Sequence, residues 1–259
     1  MTSNINMRSL HPDSTQLAGR KSIDSPAVRG GLFLLTLSTG LVDAVSYLGM
    51  GHIFTANMTG NVVLLGFALA GVPGLSITRS LVSLGAFLVG ATLGGQIAKR
   101  MADGKQNRWL GTAFLSEGIL LLIATILSAG QVELRLEDSG AFYTLISVTA
   151  IAMGIRNATV RKLAVPDLTT TVLTLTVTGL AADSSLAGGT NPRWATRLTA
   201  VVSLFVGAAI GAFLLRGSVA IPLLASAAIA SVCAAAMFLI QPEPALRGKG
   251  IGDPFEVDK

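Results

Sequence analysis

From Gly30 to Ile97 the chain carries only two charged side chains, Asp43 and Arg79. A water-soluble fold cannot surface so long a stretch with so little charge. Across all 259 residues 13% are charged and 51% hydrophobic, against roughly 25% charged in an average soluble domain. The expected fold class is therefore an all-α polytopic membrane protein.

The same composition excludes other classes. One cysteine, Cys233 inside an apolar run, leaves no internal disulfide and no zinc site built on cysteine pairs. Two histidines, with His11 in a polar stretch, offer little to a metal centre, so neither metal nor cofactor is expected. The net charge of +5 reads as a topology signal and not as nucleic-acid binding. No phosphate loop, HExxH or GxSxG elbow occurs, and no enzyme activity is expected.

Six apolar stretches match the roughly 20 residues that a helix needs to cross a membrane. They cover about residues 30–50, 78–98, 109–129, 141–160, 196–215 and 219–240. Two more, IFTANMTGNVVLLGFALAG (53–71) and LTTTVLTLTVTGLAADS (168–184), are apolar but studded with Thr, Asn and Gly. If both dip in and return, 16 of the 19 basic residues share one side, and only Arg79, Arg135 and Arg216 face the other. The positive-inside bias thus favours six transmembrane helices plus two re-entrant or broken polar helices. Residues 1–29 and 241–259 are expected to be cytoplasmic tails, the first disordered, with residues 130–140 an extracytoplasmic loop.

The regions between repeat each other. Gly40-Leu-Val-Asp43-Ala44 aligns with Gly154-Ile-Arg-Asn157-Ala158, Thr55–Gly60 with Thr174–Gly179, and Val89–Gly94 with Val206–Gly211. These matches define two membrane repeats, 30–129 and 141–240. Three spans per half is an odd number, so the second half is expected to run opposite to the first. Such an inverted repeat is common in secondary transporters, whose sites lie at the midplane.

The segments GLVDAVSYLGMGHIFTANMTGN and GIRNATVRKLAVPDLTTTVLTLTVTGLAAD resemble the YoaK-type family of bacterial inner-membrane proteins. The resemblance covers most of residues 30–240 and implies about six spans and a bacterial plasma-membrane location. It implies no activity. Many members carry Gln where this chain has Arg156, so a polar site at that position would differ in charge.

Asp43 is the sharpest candidate for chemistry. It stands about 20 Å along the first span, where an aspartate costs on the order of 2.5–3.5 kcal/mol to insert. It could carry a proton or bind a cation; the plainer reading is a packing or interfacial role. Thr55, Asn57, Thr59, Gly60 and Asn61 could line a site or satisfy a turning backbone. Thr170, Thr171, Thr174, Thr176, Thr178 and Gly179 are their counterparts in the second half. Asn157 is the repeat partner of Asp43, and Arg156 beside it reads as an arginine that snorkels to the cytoplasmic face. Glu117, about 12 Å into the third span, could pair with Arg156 or relay protons with Asp43. Gly90-xxx-Gly94 and Gly207-xxx-Gly211 read as close-packing ridges, facing each other or a second copy of the chain. His52 reads as a solvated loop residue, and Asp167 and Asp183 as caps or interfacial residues.

The function expected is a secondary transporter or channel for a small solute or ion. Its binding residues would be Asp43, Asn57, Thr59 and Asn61 from one half and Asn157, Thr174 and Thr178 from the other. The main alternative is a non-transporting subunit or sensor that docks partner helices through the glycine ridges. A lipid-directed intramembrane enzyme would need Asp43 and Glu117 as an acid–base pair. The expected partners are the lipid bilayer, an unidentified solute or ion and, through the ridges, a homodimer.

Overall fold

A computed structural model describes residues 26–101, 106–129, 139–164 and 173–240. Asp167, Thr170, Thr171, residues 1–25, most of the 130–140 loop and residues 241–259 lie outside them. The described residues contain no strand. Their helices are α1 (Pro26–Gly49), α2 (Met58–Leu69), α3 (Ile77–Arg100), α4 (Gln106–Ala129), α5 (Gly140–Leu163), α6 (Leu173–Ala182), α7 (Trp194–Leu214) and α8 (Ala220–Leu239). The chain is an all-α polytopic membrane protein.

Local chemistry sets the helix starts. Pro26 opens α1 at a position where its missing N–H costs nothing, so the helix begins inside the stretch expected to be tail. Asn57, Ser76 and Ser139 cap α2, α3 and α5, their side chains accepting from the backbone N–H of Gly60, Arg79 and Phe142. Five of the long helices are apolar enough to cross a membrane by length and composition. The sixth, α5, is 24 residues long and is diluted by Arg156, Asn157, Arg161 and Lys162. The short α2 and α6, of 12 and 10 residues, are about 18 and 15 Å long, too short to cross about 30 Å of hydrocarbon.

Two apolar clusters mark the ends of the bundle. The lower one joins Leu32 and Leu35 of α1, Leu110 and Phe114 of α4 and Ala200 of α7 to the far ends of α3, α5 and α8 at Ala98, Leu163 and Met237. The upper one joins Val42 and Val45 of α1 and Leu121 of α4 to the opening turns of α5 and α8, at Phe142 and Leu223. Hence α1, α4 and α7 rise while α3, α5 and α8 descend. Both α1 ends and α3 begins at the top, so the segment holding α2 returns to the side it left. The segment holding α6 does the same at the bottom.

Glycine decides which helices meet. A Cβ on Gly90 would strike the Ile151 carbonyl of α5, and one on Gly94 would press, less closely, on the Ile155 carbonyl. In the other half, Gly207 meets Leu37 of α1 and Gly211 meets Leu41 and Ala44. Gly40 and Gly154 complete these seams, facing Gly207 and Gly90. The expectation that the two ridges face each other or a second copy is therefore corrected. Each ridge packs on the first helix of the opposite half, because a second glycine there lets the two backbones touch. The ridges are filled inside the chain, so neither homodimerisation nor docking of a partner helix can use them. At the centre α4 and α8 cross antiparallel, with Gly118 against Ser231 and Asn107 Nδ2 donating to the Ile240 carbonyl at 2.9 Å.

Candidate functional site

Between the two apolar clusters lies a polar layer, and its core comes from three helices. Arg156 of α5 has no exposed surface and forms an ion pair with Glu117 of α4, equally buried. The guanidinium also clamps α1. Its Nη1 donates to the Leu35 carbonyl and to Thr39 Oγ1, both at 2.9 Å, and its Nη2 donates to Ser38 Oγ at 2.9 Å. Thr39 in turn donates to the Leu35 carbonyl at 3.0 Å. A planar fork of donors suits such a set of converging oxygens. The snorkelling expected of Arg156 is thus overturned: Glu117 and the α1 hydroxyls offer it partners nearer than the membrane surface.

Asp43 lies one turn beyond Thr39 on the same face of α1. The residue is half-buried, but its Oδ1 is fully buried and accepts no hydrogen bond among the described residues. The backbone N–H groups of Asn57 and Ala56, at the start of α2, and the Arg156 guanidinium are the groups that act on its carboxylate. Glu117 likewise keeps one buried oxygen, Oε2, without a hydrogen bond. Thr55, fully buried beside Ala56, also has an unpartnered hydroxyl.

The turn that carries Ala56 and Asn57 is pinned to α3. Ser83 Oγ donates to the Phe54 carbonyl at 2.7 Å, and Asn61 Nδ2 donates to the Ser80 carbonyl at 3.2 Å. The Asn61 side-chain oxygen accepts from the Phe54 N–H, and Asn57 accepts from the Gly60 N–H. Both asparagines therefore satisfy backbone groups that an interrupted helix leaves open. Above the turn, Tyr47 stacks on Phe54 with ring centroids 5.2 Å apart and tilts against exposed His52 at 5.3 Å.

Several expected binding residues do not join this cluster. Thr59, Thr174 and Thr178 are exposed, and on α6 it is Thr176, on the opposite face, that is buried. Asn157 donates to Met153 of its own helix at 2.8 Å. Asp183 holds Arg197 at 2.6 Å, and Arg197 also donates to the Gly179 carbonyl at 2.6 Å, tying α6 to α7. The sequence signal for the real cluster was the pairing of one glutamate and one arginine inside otherwise uncharged spans, beside the Ser38-Thr39 hydroxyls of α1. Among the described residues no three His, Cys, Asp or Glu side chains are grouped to hold a metal.

The chain matches the family described as "Protein of unknown function (DUF1275)" over residues 31–237 and belongs to it. It is similar to the UPF0700 transmembrane protein YoaK of Bacillus subtilis (strain 168), with 32% identity over 154 residues. That alignment covers 60% of this chain and 66% of the relative, just under two thirds of its length. No solved structure matches. The resemblance to the YoaK-type family read from the two polar segments is borne out.

Proposed function

We propose that this member of the DUF1275 family is a secondary transporter for a small solute or ion, with its site at the Asp43–Arg156–Glu117 cluster. The observation that carries the reading is the fully buried Arg156–Glu117 pair, assembled by α1 and α4 of one half and α5 of the other. A buried ion pair adds little stability over apolar packing. The bundle already has two apolar clusters and two glycine seams to hold it together. Ionisable groups in the middle of membrane helices usually line a path for a solute or ion.

Helix direction supports an inverted-repeat reading. By the order of the chain α1 corresponds to α5, α3 to α7 and α4 to α8, and each pair runs in opposite senses. In transporters so built, rocking of one part against the other opens a central site to alternate sides. Charge supports an orientation. Arg29, Lys99, Arg100, Arg108, Arg161, Lys162 and Arg193 belong to helix ends at the bottom of the bundle, whereas Arg79 and Arg216 belong to the top. With the basic end inside, the start of α1 and the end of α8 both face the cytoplasm of a bacterial plasma membrane.

The charge state of Asp43 would bias which side the site opens to. The test is uptake by the full chain in liposomes, using labelled amino acids, polyamines, sugars and nucleosides under imposed ion gradients. Uptake of at least one class above empty liposomes, lost in Asp43→Asn, is expected. Absence of uptake for every class, or uptake unchanged in Asp43→Asn, overturns the assignment.

A further inference from the structure

We propose that the ion exchanged at this cluster is a proton, one for each set of Asp43, Glu117 and Arg156, and that the cluster does not bind Na⁺ or K⁺. As a coupling step the proposal rests on the transporter reading above; as a binding site it stands apart from it. Glu117 pairs with the Arg156 guanidinium, and Asp43, one turn beyond the Thr39 that this guanidinium also binds, lies in its field, in a layer between two apolar clusters. With both carboxylates ionised the set carries one uncompensated negative charge, which is costly away from water. One added proton, forming an O–H bond on a carboxylate oxygen, makes the set neutral and breaks no other bond.

The geometry selects a proton over a metal cation. A hard cation needs several oxygen ligands converging on one point. Here Leu35 O, Ser38 Oγ, Thr39 Oγ1 and Glu117 Oε1 do converge, but their centre is filled by the guanidinium of Arg156. Around Asp43 the turn presents the N–H groups of Ala56 and Asn57, which repel a cation. What stays open is one oxygen on each acid, Asp43 Oδ1 of α1 and Glu117 Oε2 of α4, and the Thr55 hydroxyl in the turn after α1, all buried and without a hydrogen bond among the described residues. A single oxygen suffices for a proton and not for Na⁺. Asp43 is half-buried and Glu117 wholly buried, so the proton enters at Asp43.

The other titratable groups are few. Arg156 faces both acids from α5, which also carries Tyr143 in its first turn and Arg161 and Lys162 in its last. Cys233 of α8 lies within the field of both Glu117 and Arg156. On α7 only Arg197 is charged, near its lower end, and on α3 only Arg79, Lys99 and Arg100, at its two ends. Beyond Asp43 itself α1 adds Arg29 and Tyr47 near its ends, and α4 adds Arg108 in its first turn.

Infrared difference spectra of the full chain in lipid, recorded from about pH 5.5 to 9 and so above the range of exposed carboxylates, test the proposal. A carbonyl stretch from a protonated carboxylic acid is expected to titrate in this range and to shift in deuterium oxide. It should be lost in Asp43→Asn or in Glu117→Gln, and be identical in sodium, potassium and choline chloride. If either variant fails to fold, Asp43→Glu keeps the acid and should move the band without removing it. Absence of the band, its persistence in both neutral variants, or carboxylate bands that respond to Na⁺ or K⁺ at fixed pH would overturn the proposal. A titrating band in a protein that moves no solute leaves this proposal standing and defeats the transport reading.

Discussion

The Glu117 carboxylate and the Arg156 guanidinium face each other with no exposed surface on either side chain. Removing one partner leaves the other charge buried alone, so Glu117→Gln or Arg156→Gln should each cost about 3–5 kcal/mol of stability. Replacing both with methionine should cost far less. Thermal unfolding of the three variants in one detergent distinguishes the cases. A double variant as unstable as the singles would mean that the pair holds the bundle together, and would remove the main argument for a functional site.

Neighbouring glycines of α3 make a matched experiment. Gly94 lies against Ile155 and Ala158 of α5, whereas a Cβ on Gly95 would meet nothing within 4 Å. Gly95→Ala is expected to leave stability unchanged or raise it by up to about 1 kcal/mol through helix propensity. Gly94→Val should part α3 from α5 and prevent a monodisperse folded protein. Size-exclusion chromatography of the two variants is the measurement.

Asn61 joins the turn after α1 to α3 by two hydrogen bonds, from the Phe54 N–H and to the Ser80 carbonyl. In Asn61→Leu the Phe54 N–H loses its partner, an expected loss of about 1–3 kcal/mol, while the Ser80 carbonyl keeps its bond within α3. Hydrogen exchange should quicken first in residues 54–61. Uniform loss of protection along α1 instead would show that this turn is not a separate unit.

The path of the chain can be tested by labelling. In a protein with Cys233 replaced by alanine, single cysteines at His52 and Pro73, both exposed at the top of the bundle, should react with a membrane-impermeant maleimide on intact cells. A cysteine at Arg193, at the opposite end, should react only after permeabilisation. Labelling of His52 without Pro73 would mean that the segment between them crosses the membrane.

The six long helices were legible because apolar length is a property of a segment alone, and each lies within about four residues of its expected bounds. The glycine positions were legible too, but their partners were not. Gly90 and Gly207 look alike in sequence, and only the direction of each helix sends one to α5 and the other to α1. The threonines of α6 failed for want of a phase: Thr174 and Thr178 share one face and Thr176 takes the other, and composition cannot say which is inside. Arg156 stands seven residues before the end of α5, about 10 Å and within reach of an interface. Its inward course depends on Glu117, 39 positions earlier in the chain.

The glycine seams also bear on how the protein is made. The groove that Gly40 opens on α1 is filled by α7, whose residues leave the ribosome only after more than 150 others have followed Gly40. Until then the first helix sits in the bilayer with a notch that lipid must occupy. A chain stopped after α4 would leave both the α1 and α3 notches unfilled, so assembly waits on α5 and α7.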